Sequence, residues 1–91
     1  MPSSHQTTSI LHTDGIIQQV DTVNRELRVQ VNGTLMTFDV PPGCTVILNN
    51  EQVKLRLLQP ADRVKVAYYL GPCGLRAARR VEARTGDTSP W

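Results

Sequence analysis

The sequence predicts an all-β fold, a small closed Greek-key barrel of five to six strands that is OB-like, with an SH3-like barrel as the alternative. Three observations lead there. The 91 residues allow one domain whose core is near the lower limit for self-support. The apolar content is mostly Val, Leu and Ile, with one Phe, one Trp and two Tyr, and the β-branched members favour pleated, half-buried surfaces. Finally, short segments of period-two alternation recur between strong turn signals.

The elements follow in order. Residues 1–12 are rich in Ser, Thr, Gln and Pro, and residues 85–91, "TGDTSPW", lack periodicity; both are expected to be disordered tails around a barrel domain at 13–84. "GIIQQVD" makes a first strand and "TVN" turns the chain into "RELRVQV", where Leu27, Val29 and Val31 alternate with Arg28 and Gln30. Asn32-Gly33 supplies two residues tolerant of positive φ, the signal for a type I′ hairpin. A two-residue loop there puts Val29 opposite Met36 and Leu27 opposite Phe38, so turn chemistry and apolar pattern agree on one register. Pro41-Pro42-Gly43 ends the next strand, because proline cannot donate to a ladder.

"CTVIL" reads as a short strand and "NNEQ" as a turn. Leu55 and Leu58, at i and i+3, suit one helical turn covering a barrel end. "RVKVAYYL" and "LRAARRVEAR" then form a last hairpin around Gly71-Pro72-Cys73-Gly74. A four-residue loop pairs Val64 with Val81 and Tyr68 with Ala77 inside, and Lys65 with Arg80 and Tyr69 with Arg76 outside. It leaves Arg79 facing inward opposite Val66, a conflict that a β-bulge near Ala77 or Ala78 would relieve.

Charge and motifs narrow the function. The net charge of +2 is unevenly spread: through residue 53 two arginines face five carboxylates, and beyond it eight Lys and Arg face three. A split of this kind marks an electrostatic footprint for an anionic partner or a solvated face. The outer face of the last hairpin gathers Arg63, Lys65, Tyr69, Arg76 and Arg80, a basic, tyrosine-bearing surface of the kind on which single-stranded nucleic acid stacks. These five are the candidate nucleic-acid-binding residues. A protein-interaction or structural module is the alternative, cued by the terminal Trp91.

Catalysis is not expected. His5 and His12 lie in or beside the N-terminal tail, and no nucleophile elbow, phosphate loop or His-Glu-x-x-His spacing occurs. Asp14 with Asp21, or Glu26 with Asp39, could pair as carboxylates, but solvated strand ends and turns are the reading that fits them. Soft-metal binding is a second alternative, through Cys44, Cys73, Met36 and His12, but without clustered spacing no metal or other cofactor is expected. The two cysteines are too few for a disulfide scaffold and read as reduced thiols. Taking Met1 as the natural start, the absence of a signal-peptide pattern and of any long apolar run suits a cytoplasmic monomer with no membrane span.

The skeleton "GIIQQVD", the "VNG" turn, "TFDVPPGCTVI", "LRLLQPADRVKV" and "LRAARRVEA" resembles a bacterial family of small β-barrel domains of unknown function. That family's pattern is Gly-x-Val-x-x-Val-Asp, an Asn-Gly turn and Leu-x-x-Gly-Asp-x-Val. It is also similar to the related OB-fold periplasmic copper chaperone. The resemblance covers residues 14–84 and rests on barrel-building positions, so what it implies is the fold. Ala61-Asp62 replaces Gly-Asp, asking a non-glycine to make that turn. The chaperone's site needs a His and a Trp near two Met; only Met36 matches a ligand position and Thr34 stands where the other Met would be, so copper transport is not implied.

Overall fold

Two asparagine-led turns set the hairpins. In the computed structural model, which describes residues 10–71 and 74–85, Asn32 and Gly33 have φ of 50° and 82°. They join β2 (Glu26–Val31) to β3 (Thr34–Asp39). Val29 lies opposite Met36 and Leu27 opposite Phe38, the register that the turn predicts. Asn49 and Asn50, with φ of 52° and 72°, join β4 (Thr45–Leu48) to β5 (Glu51–Gln52). The "NNEQ" turn therefore shrinks to its two asparagines, because two consecutive residues at positive φ already reverse the chain.

β1 (Leu11–Asp21) is the longest strand and starts four residues before the predicted "GIIQQVD", inside what the composition marked as a tail. Its first half pairs with β6 (Arg63–Leu70), Leu11 to Tyr68 through Ile16 to Arg63. Its second half pairs with β2 across a register shift between Ile17 and Gln19. Gly15 sits where the strand passes from one partner to the other. A Cβ there would meet the Gln30 carbonyl oxygen at 2.3 Å and a Val29 methyl at 2.6 Å, so only glycine lets the two backbones approach this closely. At the far end, Asp21 Oδ1 accepts from the Val23 and Asn24 amides at 3.0 and 2.9 Å, an Asx turn. Those Asn24 contacts hold the Asp21 carboxyl below its ordinary 3.8.

The strand order is β3-β2-β1-β6-β7-β4-β5, and Asp39 also bridges to Ala77 of β7 (Arg76–Arg84) in parallel. That bridge closes β1, β2, β3, β7 and β6 into a five-stranded barrel of the OB type. The remaining pieces, β4, β5 and a 3₁₀ turn at Leu55–Leu57, fill the connection between β3 and β6. Leu55 and Leu58 are buried, as their spacing predicts for a turn covering a barrel end. The core is a single cluster around Phe38, Ile17, Leu27, Val29, Val66 and Val81, all fully enclosed. Phe38 meets Tyr68 edge to face, with ring centroids 5.0 Å apart at 67°.

The last hairpin corrects the predicted register. Gly71 N–H donates to the Leu75 carbonyl at 2.7 Å, so the loop spans five residues and Leu70 pairs with Arg76. A bulge then leaves Arg79 without a partner, since Tyr68 faces Ala78 while Ala67 faces Arg80. Val66 consequently meets Val81, Val64 meets Ala83, and Lys65 meets Glu82, in place of Arg79, Val81 and Arg80. The bulge falls one residue beyond the predicted site and has the predicted effect: Arg79 is exposed and the apolar row is unbroken.

Candidate functional site

Strand alternation and three ladders build the outer surface of β1, β6, β7 and β4. Residues paired across a ladder share a face, so three rows run across the sheet. Asp14, Lys65, Glu82 and Ile47 form one, Ile16, Arg63 and Arg84 the second, and His12, Ala67, Arg80 and Thr45 the third. The first two rows floor an open groove of about 590 Å³, with Asn50 of the β4–β5 turn at its rim. A smaller recess of about 180 Å³ beside it is lined by His12, Lys65, Ala67, Arg80 and Glu82. The face carries both signs, Arg63, Lys65, Arg80 and Arg84 against Asp14 and Glu82. Lys65 stands between Asp14 and Glu82, and Arg80 grips one Glu82 oxygen from two guanidinium nitrogens, at 2.9 and 2.8 Å.

Of the five predicted residues, Arg63, Lys65, Tyr69 and Arg80 share this outer face. Arg76 does not. Pairing with Leu70 rather than Tyr69 places it on the opposite side of the hairpin, since a one-residue slip reverses a side chain's face. Tyr69 is half-buried opposite Ala77, at the far end of the sheet from Arg63. Two of the three predicted basic residues that share a face with it, Lys65 and Arg80, have acidic neighbours. The strand 2–3 surface, where OB barrels bind oligonucleotides, presents Arg28, Gln30, Leu35 and Thr37 and no aromatic ring. Among the described residues no stacking platform for single strands is assembled.

The other candidates separate as well. His12 belongs to β1, opposite Ala67. Asp14 and Asp21 lie toward opposite ends of that strand; Glu26 and Asp39 are cross-strand partners. Cys44 is half-buried against the core, its Sγ–H donating to the Thr45 carbonyl at 3.6 Å. Burial pushes its pKa up to about 11, against a downward pull from Arg25. Met36 packs on the same core. Among the described residues no group of three or more His, Cys, Asp or Glu could hold a metal ion. His5, Cys73 and Trp91 lie outside the described residues. Also among those described, no helix is long and apolar enough to cross a membrane.

Sequence reasoning did not find Asp14, Ile16, Ile47 and Arg84 as parts of the groove. Arg84 had a local signal, its alternation with Glu82 and Arg80. The others come together only through the β1–β6 and β4–β7 ladders, which no neighbouring residues announce.

These features define the class of molecule: a small OB-like barrel with a polar groove on one sheet face. Solved structures agree. The chain is similar to apo-CusF residues 6–88 from Escherichia coli, with a TM-score of 0.70 and 10% identity over 89% of this chain and 94% of that one. It is also similar to CusF-Ag(I) residues 10–88 from Escherichia coli, with a TM-score of 0.67 and 10% identity over 84% of this chain and 92% of that one. CusF is the OB-fold periplasmic copper chaperone that the sequence skeleton resembles, and at this identity the likeness is one of fold. Neither a family model nor a curated protein matches the chain.

Proposed function

We propose that this protein is a non-catalytic binding module that holds a polypeptide partner against the outer face of β1, β6 and β7. One observation carries the reading: the groove of about 590 Å³ is crossed by the alternating row Asp14, Lys65 and Glu82. A surface of both signs repels a uniformly charged polymer over part of its length. It complements a peptide whose own charges alternate. Groove walls on paired strands are also rigid, which lowers the ordering cost of binding.

A photo-crosslinking residue at Ala67, on this face, and at Thr37, on the β2–β3 face, tests the reading in the source cell. Peptide adducts at position 67 and none at 37 are expected. Adducts at 37 alone would move the site to the other sheet, and nucleotide adducts at 67 would replace the partner class.

A second reading has its own support, because CusF-Ag(I) and Ag(I)CusF share this fold and Met36 occupies a ligand position of the chaperone pattern. Against it, a Cys44 thiol that keeps its proton is a weak soft-metal ligand, and Met36 is spent on packing. Titration with Ag(I) is expected to leave the Met36 methyl and Cys44 amide resonances unmoved; saturable shifts at both would establish the metal reading.

A further inference from the structure

On the outer face, the charged pairs of the β1–β6–β7 ladders obey complementarity with one exception. Lys65 is flanked by Asp14 and Glu82, but Arg63 stands directly opposite Arg84. Like charges facing each other across an antiparallel pair, with Cβ atoms about 5 Å apart, weaken the sheet. Both side chains are exposed, and the salt bridge formed among the described residues is Arg80–Glu82, so neither guanidinium has a carboxylate within bonding reach there. Both line the large groove, and the row they occupy continues into Ile16, which is 43% exposed. Two guanidinium forks side by side present donors in the geometry that a carboxylate accepts. The adjoining isoleucine offers apolar contact to whatever lies next to that carboxylate.

Building on the reading of this face as a peptide site, we propose that Arg63 and Arg84 together bind the side-chain carboxylate of an acidic residue in the partner, with a neighbouring apolar residue resting on Ile16. A single carboxylate fits where a nucleic-acid strand does not. Asp14 and Glu82 occupy the next row of the same groove, two residues or about 7 Å along their strands, and would meet the following phosphates of a polyanion.

The probe is the peptide acetyl-Ile-Glu-Ile-amide, titrated into ¹⁵N-labelled full chain at low salt. Saturable amide shifts at Ile16, Arg63 and Arg84 are expected, with the Gln-containing peptide at least about tenfold weaker, as loss of a charge-assisted pair requires. Arg84→Gln should reduce affinity by a similar factor with a melting temperature no lower than wild type, because the substitution also removes the repulsion. Arg79→Gln, on the bulge, should bind as wild type. Equal binding of the Glu and Gln peptides, or unaltered affinity in Arg84→Gln, overturns the proposal. If those peptides still shift His12, Lys65 and Thr45, the broader reading of the face survives. No shift on the face from either peptide at millimolar concentration overturns both. Tighter binding of an eight-residue oligothymidylate, lost in Arg84→Gln, would assign the pair to phosphate instead.

Discussion

Cys44 illustrates how surroundings decide what one side chain can do. The thiol packs against the core and donates to its neighbour's carbonyl, and desolvation raises its pKa from 9.0 to about 11. Because the folded value lies above the unfolded one, the contribution to stability is fully present below pH 9. It is lost as the pH climbs from 9 through 11. At pH 8 the thiol is therefore expected to react with a disulfide reagent far more slowly in the folded protein than in urea. Equal rates would mean the thiolate is accessible and would reopen its candidacy as a ligand. The small-hydrophobe reading was open to sequence reasoning, since a strand-initiating Cys is usually buried; the Arg25 charge nearby was not visible there.

At the scale of the element, the turn at Gln59–Asp62 shows a departure whose cost the structure makes explicit. Ala61 adopts φ of 81°, a conformation costing a non-glycine about 1–2 kcal/mol. The turn is held because the Ala61 amide donates to the Ile17 carbonyl at 2.8 Å, Ile17 donates back to Asp62 at 2.9 Å, and the buried Asp62 carboxylate accepts from Gln59 at 3.0 Å. Ala61 is exposed, so Ala61→Gly loses no packing. Set against the added freedom of the unfolded chain, about 0.4–1 kcal/mol, a net gain of about 0.5–1 kcal/mol is expected from urea unfolding. A loss would show that the methyl group contributes more than its exposure suggests. The two asparagine turns, the 3₁₀ turn and the β2–β3 register were all legible because each is fixed within a few residues. The β6–β7 register was not: a loop one residue longer than its glycines delimit, combined with a bulge on "AARR", moved Lys65 from Arg80 to Glu82 and turned Arg76 to the other face.

For the whole molecule, the barrel was legible from alternation and turns, whereas the groove was not, because its two charged rows are assembled by strands about 50 residues apart in sequence. What does concentrate stability is the core around Phe38, fully enclosed and stacked edge to face on Tyr68. Phe38→Ala is expected to cost about 3–5 kcal/mol. In a domain whose total is about 5 kcal/mol, circular dichroism should show a largely unfolded chain at 25 °C; a cooperative melt would contradict this. The ring around that core is joined unevenly. β3 meets β7 through one bridge, Asp39 to Ala77, whereas β6 and β7 share eight paired positions. A ring with one weak link parts at the link, so brief openings of the native state should begin there and leave the opposite wall shut. In deuterated buffer the amides of Thr34 to Thr37 should exchange well ahead of those of Val64 to Ala67, and equal lifetimes would mean that the barrel opens only as a unit. The groove proposed for a peptide lies on that opposite wall, so a bound peptide would rest on the slowest-opening part of the molecule while its seam continues to breathe.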